Sequence, residues 1–312
     1  MHHADERTEV VDAALLQSFP LPDHGTESSK DDRGGALVIG GSRETPGGVL
    51  LAGLAALRAG AGRVQLATAE SVTTALAIAF PEARVMSLVE TDEGEVTAER
   101  SERVVTAASE SDAILIGTGA VESKGMGDLL RVVLAAISPT TRVVIDAAGI
   151  EVLASVPDLL EGLDGQVVIM PNPGEMAGLI GVDEETVRAD PARALEKAAA
   201  AHRAVIALRT PETLIAAPDG SRYVDRSGHA ALGTAGSGDV LAGTLVGLLA
   251  RGASPLTATL WAVHVHGVAG FLLGTTRTGL GLMARELVDE LPAVFRSIAD
   301  DDDDRGRVIE GE

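Results

Sequence analysis

The feature that most constrains this chain is a series of short, unbroken apolar runs separated by longer helical stretches. Runs at 36–40, 63–68, 113–117, 142–147, 166–170 and 204–208 have strand length, and helical segments stand between most of them. Strands that stay apolar along their length are buried on both faces, and a sheet covered by helices on both faces is a parallel one. The segment 34–68 holds the pattern in small: a strand at 36–40, a small-residue helix at 48–59 and a strand at 63–68, forming a βαβ unit. Runs at 213–217 and 221–225 flank Pro218-Asp219-Gly220, a turn that predicts an antiparallel hairpin appended to the parallel sheet. Helices at 239–251, 255–273 and 282–298 should close the chain.

The expected fold class is therefore α/β, with a mostly parallel central sheet between helical layers and a small antiparallel hairpin. No internal repeat or long linker divides it, so residues 34–298 should form a single domain. Residues 1–33 read as a polar N-terminal leader, broken by Pro and Gly after position 20. Residues 299–312, opening on an aspartate run at 300–304, read as an acidic disordered tail that cannot bury a core.

The formal charge of -21, without a cluster of basic residues, excludes a polyanion as natural partner. One Trp, one Tyr and four Phe also leave little for base stacking, so no nucleic-acid partner is expected. Arg outnumbers Lys 22 to 3, a balance that fits either a high-salt cytoplasm or a biased genome with acidic termini. The chain has no cysteine, which removes disulfides and thiolate metal sites. No signal-type segment opens it, and no stretch reads as the roughly 20 apolar residues that span a bilayer. A cytoplasmic protein without membrane partner is the expectation.

The chemistry concentrates in GTAGSGDVLAGTLVGLLARG, residues 233–252, where three glycines within six residues run into an apolar helix. Glycines let the backbone turn its N–H groups inward, and a helix N-terminus adds about half a positive charge, so the pair makes an anion hole. Ala235, Gly236, Ser237 and Gly238 are its candidate members. Asp239 follows directly, where an ionised carboxylate can accept a hydroxyl proton beside a phosphate. A glycine loop needed only for packing, with Asp239 as an ordinary helix-start residue, is the plainer alternative. The loop is neither a Walker loop, lacking Gly-Lys-Ser or Gly-Lys-Thr, nor a Rossmann fingerprint.

Three more segments end strands on the side where parallel sheets bind ligands. Residues 42–49 carry Gly47 and Gly48, which permit close backbone approach, although an ordinary βα turn needs the same residues. Gly117-Thr118-Gly119 follows strand 113–117, and Pro171-Asn172-Pro173-Gly174-Glu175 follows strand 166–170. His264 and His266, two apart in a helix, cannot share a face and read as satisfied core histidines rather than metal ligands.

A glycine-rich anion hole ending in an aspartate late in the chain resembles the ribokinase-like superfamily. Taken with GGALVIGGSRETPGGVLLAGLAALRAGAGRVQLAT at 34–68, PNPGEMAGLIG at 171–181 and the AGSGDVLAG core, the chain resembles the bacterial nucleotide-dependent NAD(P)H-hydrate dehydratases. That resemblance implies a ribokinase-like fold and repair of hydrated NADH and NADPH (NADHX and NADPHX), with ADP or ATP and Mg2+. It implies Asp239 as catalytic base and a hydrate site formed by Gly48, Gly119, Asn172 and Asp239. It assigns Arg209, Thr210, Pro211, Glu212, Thr213 and Gly238 to the nucleotide, Glu175 to water-mediated Mg2+, and a homotetramer to the assembly.

Four positions depart from the family pattern. Thr118 replaces the proline of a Gly-Pro-Gly turn, Asn172 replaces a histidine, Ala148 replaces the second carboxylate of Asp-Ala-Asp, and Arg209 replaces a lysine. His229 also stands where asparagine is usual. Asn-x-x-Glu at Asn172 and Glu175 is a pattern of ribokinase-like sugar and vitamin kinases, so kinase action on a small hydroxylated metabolite is the alternative. A catalytically silent nucleotide-binding regulator is the third reading, against which the retained Asp239 stands.

Overall fold

The structure is a computed structural model that describes residues 8–25, 28–121 and 123–309. Ten strands form one sheet: β1 (Glu9–Val11), β2 (Gly35–Ile39), β3 (Arg63–Ala69), β4 (Arg84–Leu88), β5 (Ala113–Ile116), β6 (Arg142–Ile145), β7 (Val167–Ile169), β8 (Val205–Arg209), β9 (Thr213–Ala216) and β10 (Arg222–Asp225). Their order across the sheet is β1-β10-β9-β8-β7-β6-β5-β2-β3-β4. Every pairing from β8 through β4 is parallel, while β9 pairs antiparallel with both β8 and β10. The α/β class and the hairpin are as the sequence predicts.

Burial follows the two-residue period of a strand. Ala36 and Val38 of β2 point into one apolar layer, and Leu37 and Ile39 into the other. The first layer holds the helices Gly47–Arg58, Ser237–Ala250 and Pro255–Leu273, and the second holds Lys124–Leu134, Pro173–Ile180 and Pro191–His202. Aliphatic side chains fill both layers.

One seam in the first layer fixes the position of the chemistry. Helices Gly47–Arg58 and Ser237–Ala250 touch through Gly243 and Gly247, four residues apart and so on one face. A Cβ added at Gly243 would lie 2.6 Å from Ala52 Cα, and one at Gly247 would lie 2.8 Å from Ala56 Cα. Only glycine admits that approach, and it locks together two helices whose first turns carry Gly48 and Asp239.

Two expectations need correction. The leader is partly built into the fold, since β1 pairs in parallel with β10 and the helix Ala13–Gln17 buries Leu16 in the core. Trp261 Nε1 donates to the Phe19 carbonyl at 2.7 Å, which ties the following segment down as well. A polar composition hides two well-placed apolar side chains, Val11 and Leu16, that the core captures. Met1–Arg7 lie outside the described residues, as do 26–27 and the last three residues of the expected tail. The final helix, Ala284–Ile309, continues through the aspartate run that was expected to be disordered.

The stretch Pro255–Thr276 also does reach the length and composition of a membrane span, with 22 residues and mean hydropathy 1.5. It is a core helix, 72% of that window being buried inside the protein. The edge strand β4 does not read as an apolar run because the exposed polar residues Arg84 and Ser87 interrupt it, while Met86 and Leu88 are buried.

Candidate active site

Asp239 sits at the third position of the helix Ser237–Ala250, whose N-cap, Gly236, takes the left-handed conformation with φ 89°. A side chain there would be strained, and its Cβ would press on Leu51 at 2.7 Å. The turn presents the first helical N–H groups, which have no acceptor within the helix. Gly238 and Asp239 stand in this first turn, and Gly238 lines the adjoining cavity, whereas the N–H of Ser237 turns back onto the Thr234 carbonyl at 3.3 Å. The Ser237 hydroxyl is buried too, 3.1 Å from His266 Nε2, so both donors of this residue are engaged inside the protein.

His266 is thereby the satisfied core histidine that the sequence predicts. Its Nε2 also lies 3.0 Å from the Ser237 carbonyl, and burial pushes its pKa down to about 4, so the ring is neutral. His264 is held by Asp225, with Nδ1 to Oδ2 at 2.7 Å. Sequence reasoning missed what His266 holds: the first residue of the anion-loop helix, 29 positions away.

Around Asp239 the sheet ends converge. A Cβ at Gly48 would lie 2.8 Å from Gly119 Cα and 3.1 Å from Asp239 Oδ1, so Gly48, Gly119 and Asp239 share one tight corner. Thr118 completes it by donating its hydroxyl to Asp239 Oδ1. The loop above is tied down by Thr45, whose hydroxyl donates to the Gly119 carbonyl at 2.6 Å, and by Gly41 N–H to the Thr118 carbonyl at 2.8 Å. Burial raises the pKa of Asp239, while the Thr118 hydroxyl and Arg209 act to lower it.

Arg209 leaves the end of β8 and enters a pair of carboxylates. Its Nη2 lies 3.2 Å from Glu175 Oε2 and 3.3 Å from Asp146 Oδ1. The Glu175 contact is a hydrogen bond; the Asp146 contact is an ion pair without hydrogen-bond geometry, since Oδ1 has no donor. Burial lifts the Asp146 pKa to about 6 against the pull of Arg209, with Glu175 and Asp239 adding to the rise. Burial alone would weaken the Arg209 charge, but Asp146 and Glu175 outweigh it and raise its pKa. Arg209 Nε is buried without an acceptor. Ala147, directly after Asp146, has φ 45°, a strained backbone for an L-residue. Ala148 is buried at the start of the following helix.

Asn172 and Glu175 form a reciprocal capping box on the helix Pro173–Ile180. Asn172 Oδ1 accepts from Glu175 N–H at 2.9 Å, and Glu175 Oε2 accepts from Asn172 N–H at 2.8 Å. The pattern thus has a full local explanation, and nothing in it calls for the kinase reading. No group of three or more potential ligand side chains that could hold a metal occurs among the described residues.

Beside the anion loop opens a cavity of about 890 Å³. Arg209, Thr210, Pro211 and Thr213 form one wall and Thr234 with Gly238 another, while Leu232, Leu241 and Val263 supply apolar surface. Asn172 and His229 also face it; His229 is held by the Ala231 N–H on its Nδ1 at 3.1 Å. Glu212 does not line it, because its carboxylate pairs at the surface with Arg226 Nε at 3.0 Å. Gly48 and Gly119 lie outside this lining, and with Asp239 they make the second corner. Asn172, expected with Gly48 and Gly119, lies instead on the cavity side. The arrangement offers a cavity for an anionic ligand and a buried carboxylate facing a separate backbone corner.

Known proteins share this architecture. A solved ribokinase-like superfamily protein from Enterococcus faecalis V583 superposes with a TM-score of 0.81 at 22% identity, over 96% of this chain and 98% of its own, which shows the fold. The ADP/ATP-dependent NAD(P)H-hydrate dehydratase of Bacillus subtilis, co-crystallized with ATP/Mg2+, matches at 28% identity and TM-score 0.76, over 93% of this chain and 99% of that one. The ADP-dependent (S)-NAD(P)H-hydrate dehydratase of Xanthomonas campestris pv. campestris is 41% identical over 290 residues, 93% of this chain and 96% of the relative. The family model described as NAD(P)H-hydrate dehydratase matches residues 36–293, from β2 into the last helix. With the ribokinase-like sheet, the glycine loop and that match in place, this chain belongs to the NAD(P)H-hydrate dehydratase family.

Proposed function

We propose that this protein is an ADP-dependent (S)-NAD(P)H-hydrate dehydratase that restores NADH and NADPH from their hydrated forms. The observation that carries the reading is the placement of Asp239 in a glycine corner directly after Gly238, which lines a nucleotide-sized cavity. Cavities of about 300 to 1,000 Å³ suit cofactor-sized ligands. The phosphates fit beside Gly238, where the helix N-terminus and the Arg209 side chain that lines the cavity supply positive charge. Thr210, Pro211 and Thr213 then flank the nucleotide, and Gly48, Gly119 and Asp239 receive the hydrated ring.

Hydroxide is a poor leaving group, and phosphorylation makes it a good one. The substrate hydroxyl gives its proton to Asp239 as its oxygen bonds the terminal phosphorus of ADP, releasing AMP. The lone pair of the ring nitrogen then expels the phosphate from the ring carbon, and the neighbouring ring carbon gives up a proton, so that a C=C bond forms and the reduced nicotinamide and inorganic phosphate result. Backbone N–H groups of Ala235, Gly236 and Gly238 stabilise charge on the transferring group, where losing one well-placed donor costs roughly 3 to 4 kcal/mol.

Mg2+ fits here only as a companion of the nucleotide. Glu175 is engaged by Asn172 and Arg209, so the described residues build no direct cation cage. The same reading makes the protein a cytoplasmic homotetramer. The exposed apolar side chains Phe271, Leu272, Leu280 and Met283 offer surface for that contact, and light scattering checks the mass.

The test is to incubate purified protein with hydrated NADH or NADPH and ADP, and to follow reduced-nicotinamide absorbance. Its return in proportion to AMP formed supports the reading. No return with either epimer, alongside phosphorylation of a sugar or vitamin, overturns it in favour of kinase chemistry.

A further inference from the structure

Thr118 stands where the family pattern has proline, and proline has no side-chain hydroxyl. In this chain the replacement is not neutral. The residue is fully buried at the end of β5, and its hydroxyl donates to Asp239 Oδ1 across 121 positions of sequence. Its backbone is pinned as well, because the Thr118 carbonyl accepts from Gly41 N–H at 2.8 Å. The neighbouring Gly119 carbonyl is held by the Thr45 hydroxyl at 2.6 Å. A donor fixed at both ends of its residue thus meets one oxygen of the carboxylate.

We propose that Thr118 is a positioning residue for the base: its hydroxyl fixes Asp239 through Oδ1 and leaves Oδ2 as the oxygen that takes the substrate proton. The inference rests on Asp239 being the base. A β-carboxylate rotates about its last torsion with a broad, roughly two-fold preference, so an unheld Asp239 exchanges its oxygens freely. A donated hydrogen bond selects one orientation and stabilises the ionised form of the acid.

Other groups act on the same carboxylate. Arg209, from the end of β8, lowers its pKa, while Asp146, from the end of β6, interacts repulsively with Asp239. Glu175 acts beyond Arg209. From the helix Gly47–Arg58 the corner is met by Gly48, which carries no charge. None of these groups donates to Oδ1, so the hydroxyl has no substitute.

The experiment compares Thr118→Val, which keeps the shape and removes the hydroxyl, with Thr118→Ser, which restores it, and with Asp239→Asn. Rates with hydrated NADH and ADP are measured across pH, and ADP binding is titrated separately. Thr118→Val should lower kcat by about tenfold with KM nearly unchanged, and should move the acid limb of the kcat profile up by about one pH unit. Loss of a donor to the charged form raises the pKa, so the limb moves up and not down. Thr118→Ser should recover most of both. If Thr118→Val keeps the wild-type kcat and acid limb while Asp239→Asn is inactive, the positioning role is wrong and the base stands. Equal impairment of the Val and Ser variants also overturns it, because shape would then be what matters. If Asp239→Asn remains active, the underlying assignment of the base fails, a result separate from either outcome at Thr118.

Discussion

Nη2 of Arg209 lies 3.3 Å from Oδ1 of Asp146, joining the end of β8 to the end of β6 across the intervening β7. With Glu175 on the same nitrogen, the guanidinium side chain is 24% exposed and the Asp146 side chain 3%. Removing one partner of such a pair strands the other charge in a poorly hydrated place. Arg209→Ala should therefore destabilise the fold by about 3 to 5 kcal/mol and weaken ADP binding together, checked by denaturant unfolding and calorimetric titration. Arg209→Lys keeps the charge without the planar fork and should lose less of both.

Asp239→Asn removes the base and keeps the shape of the corner. Turnover should fall by about 10² to 10⁴ while ADP affinity stays near that of the wild type. Steady-state rates and a binding titration on the same preparation check both halves.

His266 gives a pH dependence with a definite sign. Its pKa falls from 6.5 in the unfolded chain to about 4 in the fold, so between those values the unfolded state binds the extra proton. Stability contributed by the neutral ring is complete above pH 6.5 and is lost as pH falls toward 4, on the order of 3 kcal/mol in all. In His266→Asn that loss should be missing, so the stability gap between wild type and variant narrows as pH drops through this window. Unfolding curves at several pH values measure it.

Asp146 works in the opposite direction over nearly the same range. Its pKa rises from 3.8 to about 6, so the folded state holds the extra proton, and stability falls as pH rises through that interval. Asp146→Asn should remove this fall, leaving the variant with a steeper gain in stability between about pH 4 and 6 than the wild type. The same unfolding series checks it.

The parallel strands were legible because runs such as Leu37 to Ile39 stay apolar, which only burial on both faces rewards. The helix Pro255–Leu273 was legible at its start, where a proline opens it, and at its end, where Gly274 follows. The first strand was not, since its three residues include a single buried side chain, Val11. Within the candidate site, Asp239 and Gly238 announce themselves by local chemistry, whereas Thr118 acquires its role from a partner 121 residues away. Glu212 shows the converse: the family resemblance puts it with the nucleotide, while in the structure its carboxylate pairs with Arg226 at the surface. Sequence spacing reveals which residues share an element, and long-range pairing decides which way their side chains turn.

The glycine seam at Gly243 and Gly247 works as an alignment gauge. Two helices that interlock backbone to backbone cannot slide by fractions of a turn, and the next register is about 5.4 Å away, too far for a carboxylate to follow its substrate. Gly247→Val should cost roughly 1 to 3 kcal/mol by overpacking against Ala56. Any fold that survives it will carry Asp239 and Gly48 out of mutual alignment. Damage two turns deep in an apolar core will then read, in an assay, like damage to the chemistry.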